Sequence, residues 1–124
     1  EPSLNPEDIR QETLRSLAGP DRPEAIFGAS NIIAKGVIPA IQSLSLSIPE
    51  DIGLLVIDDF EALTLLNPGI SVVAQPSEDI ARVGWKMLLR LIDGEELDVQ
   101  HVRLSAKLIE RGSTKGPRRN GAGR

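Results

Sequence analysis

Ala25-Ile26-Phe27-Gly28-Ala29-Ser30-Asn31 and Ile52-Gly53-Leu54-Leu55-Val56-Ile57-Asp58-Asp59 are two short apolar runs that each end in polar residues, with a helical pattern between them. Unbroken apolar runs of this length read as strands buried on both faces. Ser30 or Asn31 can cap the intervening helix, in which Ile33, Val37, Ala40, Ile41 and Leu44 share one face. Strand, helix and strand in this order imply a parallel pair joined by a right-handed crossover. The class is therefore α/β with a parallel, Rossmann-like sheet. Pro39 sits inside the helix, removes its bond to the Lys35 carbonyl and costs about 3 kcal/mol in a straight helix, so a kink or break is expected there.

Toward the amino terminus, Asn5-Pro6-Glu7-Asp8 combines a cap, a first-turn proline and two acids at the positive end of a helix dipole. Ile9, Thr13, Leu14 and Leu17 continue that helix until Gly19-Pro20 stops it. Toward the carboxyl terminus, a short segment through Leu66 reaches the breaker Asn67-Pro68-Gly69, and Ile70 to Ala74 reads as a third strand. A long helix starts at Gln75-Pro76-Ser77, carries Ile80, Val83, Met87, Leu88 and Leu91 on one face, and stops at Gly94. Val99 to Leu104 and Lys107 to Arg111 read as further strands. Trp85, inside the long helix, is expected to be a packing residue.

Composition bounds the function. Of the 124 residues, 40% are hydrophobic and 2% aromatic, so aliphatic side chains must build the core and stacking platforms for bases or sugars are scarce. The absence of cysteine removes disulfides, thiol nucleophiles and sulfur metal sites. Net charge is -4, yet the last fourteen residues hold Arg111, Lys115, Arg118, Arg119 and Arg124 with no acid, which leaves the preceding body strongly acidic. Such a body is a poor surface for nucleic acid. The Gly/Arg tail from 111 to 124 is read as a basic, flexible end. No apolar run is long enough to span a bilayer and no signal-peptide order opens the chain, so a cytoplasmic protein without membrane contact is expected. Because the chain opens at Glu1 without Met, it is also read as a piece of a longer protein.

In an open parallel sheet, ligands bind beyond the carboxyl ends of the strands. Three polar groups fall there: Ser30-Asn31, Asp58-Asp59 and Gln75 with Ser77. A carboxylate, an amide and hydroxyls suit a hydroxyl-rich or heterocyclic ligand. Plain structural roles compete: Ser30 or Asn31 as a helix cap, the Asp pair as a turn, Gln75 as the residue that leads into a helix. Catalytic constellations are thin. His101 is the sole histidine and gives no support for a triad or a histidine-based metal site. Asp58-Asp59 could hold Mg2+ in the manner of a phosphoacceptor, but no Gly-rich phosphate cradle accompanies them.

Read together, the motifs Arg22-Pro23-x-Ala25-Ile26-Phe27-x-Ala29-Ser30-Asn31-x-x-Ala34-x-Gly36, Ile48-Pro49-Glu50-Asp51-Ile52, Asp58-Asp59, Asn67-Pro68-x-Ile70-Ser71-Val72-Val73-x-Gln75-Pro76, Leu88-Leu89-x-Leu91-Ile92-x-Gly94 and Leu108-Ile109-x-Arg111-x-Ser113-Thr114 resemble the LacI/GalR family of ligand-responsive repressors. The resemblance implies part of a periplasmic-binding-protein-like fold of two α/β lobes with a ligand, commonly a sugar or nucleobase, held between them. It implies that residues 1–110 are the carboxyl-terminal part of the sensing domain, with 1–69 and 99–110 mainly in one lobe and 70–98 belonging to the other. It further implies a homodimer, an amino-terminal helix-turn-helix reader of DNA that this chain lacks, and neither catalysis nor a cofactor. Ligand contacts carry over to Ser30, Asp58, Gln75 and Ser77, and Asn31 stands where the family often has Asp. Ser3 or Leu4 replaces an aromatic that commonly stacks on the ligand. A solute-binding protein of a sugar uptake system shares the fold and is the alternative.

Overall fold

The computed structural model describes residues 5–96 and 101–114. Its elements run α1 (Pro6–Ala18), β1 (Ala25–Gly28), α2 (Asn31–Ser43), β2 (Gly53–Ile57), α3 (Glu61–Leu65), β3 (Ser71–Ala74), α4 (Ser77–Ile92) and β4 (Lys107–Ile109), with a 3-10 turn at Gly112–Thr114. The four strands form one sheet in the order β1-β2-β3-β4. β1, β2 and β3 are parallel, with Ile26 opposite Leu54 and Val56 opposite Val72. β4 returns antiparallel, with Val72 opposite Ile109. The expected α/β class with a parallel-dominated sheet is what the chain forms.

Local chemistry explains the helix boundaries. The Asn5 side chain accepts from the Glu7 N–H at 3.0 Å, and Glu7 and Asp8 fill the first turn of α1. The Ser30 hydroxyl accepts from the Ile33 N–H at 3.4 Å and begins α2. α1 and α2 lie close together at Gly36, where a Cβ would fall 2.6 Å from Ile9 Cγ2 and 2.7 Å from the Pro6 carbonyl, so only glycine permits this approach. Gly94 ends the last turn beyond α4 at φ +78°, a left-handed conformation that glycine adopts without cost.

Pro39 does not break α2, which runs unbroken from Asn31 to Ser43. Its neighbours Ala34, Val37, Ala40 and Ile41 are buried in the core. At about 1.5–3 kcal/mol for each large aliphatic side chain buried, that packing outweighs one lost helical bond. Ser43 also donates from its hydroxyl to the Pro39 carbonyl at 2.7 Å.

The core lies on one face of the sheet only. Leu17, Ala34, Val37, Ile41, Ile52, Leu54, Val56, Leu63, Ile70 and Val72 form it. The alternate residues face away: Leu55 and Ile57 are half-buried, Phe27 is 56% exposed and Leu108 is 60% exposed. Strands expected to be buried on both faces are thus covered mainly on one, because α2 packs on that side while on the other only the Gly112–Thr114 turn lies against β2 and β3, where it buries Ser71.

Two segments differ from their expected surroundings. β3, within the stretch 70–98, is an inner strand of the same sheet as β1 and β2, flanked by β2 and β4. α4, which follows it, packs against no other element among the described residues. All the apolar residues expected on its face stand at least partly in solvent, and Trp85, expected to pack, is 61% exposed. The expected strand at 99–104 is not formed by its described part, 101–104, which has no neighbouring strand to pair with. At the other boundary, residues 111–114 are not a loose tail but are hydrogen-bonded to β2 and β3. Ser3, Leu4 and residues 115–124 lie outside the described residues.

Candidate functional site

Ser30, Asp58 and Gln75 follow the last residues of β1, β2 and β3, so three adjacent parallel strands deliver them to the same sheet edge. Asp58 is the centre of this edge. Its N–H donates to the Val73 carbonyl at 3.0 Å, which continues the β2–β3 ladder by one bond. Its backbone then turns into the left-handed region at φ +72°, a conformation that Asp tolerates better than most residues. The Asp58 Oδ1 accepts from Gln75 Nε2 at 2.7 Å.

The remaining groups lie at the ends or starts of the neighbouring elements, with their own local hydrogen bonds. Ser30 accepts the α2 cap bond with its oxygen, which leaves its O–H free to donate. Asn31 is exposed as the first residue of α2, and the cap is Ser30 rather than Asn31. Ser77 opens α4, exposed, with its N–H donating to the Gln75 carbonyl at 2.9 Å. The structure therefore joins Asp58 to Gln75 and places Ser30, Asn31 and Ser77 around them as separate polar groups.

Asp59 has a different fate from its neighbour. Its two oxygens accept from Arg111 NH1 at 3.0 Å and NH2 at 2.6 Å, a two-pronged pair with side chains 28% and 19% exposed. The Arg111 hydrogen bonds hold the Asp59 carboxyl below its ordinary pKa and raise that of the guanidinium. The guanidinium thereby neutralises the Asp59 carboxylate, whereas Asp58 is turned to Gln75, so the two neighbouring acids have different partners. Among the described residues no group of three acids, histidines or cysteines is placed to hold a metal ion.

The segment that carries Arg111 is built into the sheet. Ser113, fully buried, accepts from the Ser71 N–H at 2.7 Å and donates to the Leu54 carbonyl at 2.6 Å. Ser71 accepts from the Arg111 N–H at 2.8 Å and shares a 2.8 Å bond with the Thr114 hydroxyl. The Arg111-x-Ser113-Thr114 motif was visible in the sequence, but its partners Asp59, Ser71 and Leu54 were not.

The larger concavity, of about 1020 Å3, lies elsewhere. Arg22, Ala25, Phe27, Gly53 and Leu55 line it at the amino ends of β1 and β2, on the uncovered face. Apolar side chains such as Phe27 and Leu55 share its lining with the charged Arg22, Glu24, Glu50 and Asp51, and none of Ser30, Asn31, Asp58, Gln75 and Ser77 borders it. It reads as an unfilled packing position, whereas the polar carboxyl edge is an open rim.

Residues 3–114 match the model of the periplasmic binding protein-like domain. This chain belongs to that family, in the form found in LacI-type regulators. The domain is 37% identical over 94 residues to the HTH-type transcriptional regulator KdgR of Bacillus subtilis, covering 76% of this chain and 28% of the relative. It is 31% identical over 97 residues to the ribose operon repressor of Escherichia coli, covering 78% and 29%. A LacI family transcriptional regulator from Bifidobacterium animalis superposes with a TM-score of 0.78 at 29% identity, over 91% of this chain and 41% of that one. The LacI-type domain thus spans less than a third of the length of these two curated relatives. Those relatives are regulators of transcription rather than enzymes. No described helix of the domain is long and apolar enough to cross a membrane.

Proposed function

We propose that this chain is the effector-sensing part of a LacI-type transcription regulator, which binds a sugar or nucleobase-like small molecule at the edge formed by Asp58, Ser30, Asn31, Gln75 and Ser77. One observation carries the reading: the Asp58–Gln75 pair at the carboxyl edge of adjacent parallel strands, where open α/β sheets take ligands. The Asp58 carboxylate accepts, the Ser30 O–H donates, and Gln75 keeps a carbonyl and a second N–H for a ligand. Such a set matches the alternating donors and acceptors of a polyhydroxyl compound. The repressor named for the ribose operon supports a sugar class.

In this reading the protein is cytoplasmic and works as a homodimer, touching DNA through an amino-terminal headpiece that lies outside this chain. A ligand that favours one lobe arrangement over another then changes DNA affinity. α4 and its apolar side chains belong to the second lobe or to the dimer contact. The solute-binding alternative is not favoured, because the relatives are repressors. A thermal-shift series with D-ribose, D-galactose, D-gluconate and adenine tests the site. At least one compound raises the melting temperature of the unsubstituted chain and leaves Asp58→Ala unmoved; a shift retained in Asp58→Ala refutes the assignment.

A further inference from the structure

Two adjacent carboxylates leave β2, and one of them is spent on Arg111. That arginine is itself immobilised from several sides. Its N–H donates to Ser71 Oγ at 2.8 Å, its carbonyl accepts from Ser71 Oγ at 3.2 Å, and its NH1 donates to the Ile70 carbonyl at 2.7 Å as well as to Asp59. A Cβ on Gly69 would lie 3.3 Å from Arg111 Cδ, so the aliphatic stem is confined too. Apart from the Asp59 bond, these contacts tie Arg111 to Gly69, Ile70 and Ser71 at the start of β3.

Asp58 lies between two anchors, one on β3 and one on Arg111. Before its side chain comes the N–H bond to the Val73 carbonyl; after it comes the Asp59 fork on Arg111. With both ends fixed, the intervening residue is held at φ +72°, where its carboxylate meets Gln75. A left-handed non-glycine residue carries a backbone cost, smaller for Asp than for most, that its surroundings offset. We propose that Arg111 is a positioning residue for the binding edge: by holding Asp59 it fixes the Asp58 backbone and so aims the Asp58 carboxylate at Gln75 and the ligand. The inference rests on the effector site proposed above and adds to it a residue that touches no ligand.

The planar fork is what the geometry uses, so Arg111→Lys keeps the charge and every backbone bond of residue 111 while losing the two-pronged grip. Asp59→Asn removes the charge from the other side and serves as the second variant. The readout is the Gln75 side-chain amide in a 15N-correlated NMR spectrum of the full chain, assigned by its loss in Gln75→Glu. Both Arg111→Lys and Asp59→Asn are expected to move that resonance toward the position it takes in Asp58→Ala, with the backbone amides of Val72 and Val73 in place. An unmoved Gln75 amide in both variants overturns the proposal and leaves Arg111 a clamp on the sheet alone. In a parallel titration with D-ribose, Arg111→Lys weakens binding by about tenfold or more, the scale on which small misplacements of a contact act. An unaltered dissociation constant overturns it as well. The amide is read without ligand, so it decides the part of Arg111 independently of whether the effector reading survives.

Discussion

Replacing Ser113 by Ala removes one hydroxyl that closes two buried bonds. The Ser71 N–H donates to it at 2.7 Å and it donates to the Leu54 carbonyl at 2.6 Å, so a single O–H splices β2 to β3 where the ladder begins. Ser113 and Ser71 are both 0% exposed, and Leu54 is equally buried, so water does not replace the lost group. A buried donor or acceptor left without a partner costs about 1–3 kcal/mol. Two such groups, partly relieved by a direct approach of Ser71 to Leu54, give about 2–4 kcal/mol. A domain of this size has roughly 5–15 kcal/mol of total stability, so the loss is a large share. It corresponds to a melting temperature lower by about 8–16 °C at about 4 °C per kcal/mol. Urea unfolding followed by circular dichroism measures it directly, with the slope unchanged and the midpoint lowered. A loss of less than about 0.5 kcal/mol, the range of ordinary surface substitutions, refutes the reasoning.

The Asp59–Arg111 pair predicts an acid-sensitive contribution. Because the folded carboxyl titrates below its ordinary value, the stabilisation is complete above about pH 4, the unfolded value, and disappears as pH falls through the lowered folded value. Asp59→Asn should flatten that part of the stability–pH curve; a curve of unaltered shape counts against the pair. Gly36→Ala forces a methyl into Ile9 and the Pro6 carbonyl, and is expected to cost about 1–3 kcal/mol by overpacking, read as a lower urea midpoint. Trp85, exposed on α4, should emit as a water-surrounded indole in dilute solution and shift to shorter wavelength as α4 becomes covered in the proposed homodimer. Light scattering on the same samples must show the mass doubling over that concentration range, and a blue shift without it excludes dimerisation as the cause.

What was legible in the sequence was local. The Asn5 cap, a cap at Ser30 or Asn31, the first three strand runs and the Gly94 stop each depend on residues within a few positions of one another, and each formed where its chemistry demanded, with Ser30 as the cap. The approach of Asp58 and Gln75 also followed, because consecutive strands of a parallel sheet deliver their ends to one edge. The absence of a break at Pro39 was hidden for the opposite reason: the proline's cost is local, while the packing that keeps α2 continuous comes from α1 and the sheet. The uncovered sheet face was equally hidden, since an apolar run reads the same whether one face or both find a partner.

The least legible feature was the divergence of two neighbouring acids. Asp58 and Asp59 look equivalent in the sequence, and nothing within ten residues separates them. The separation is made by Arg111, 52 residues further on, which reaches Asp59 only because β4 returns antiparallel beside β3 and sets the next residues against Gly69, Ile70 and Ser71. Sheet register, not residue type, therefore decides which carboxylate is neutralised and which faces the edge. A strand slip of one residue would turn every side chain of β4 to the other face and remove Arg111 from Asp59. The bonds of Ser71 to Arg111 and Thr114, and of Ser113 to Leu54, prevent that slip at the point where it would matter. The polar chemistry of the edge is thus set by the return strand and the short motif that follows it.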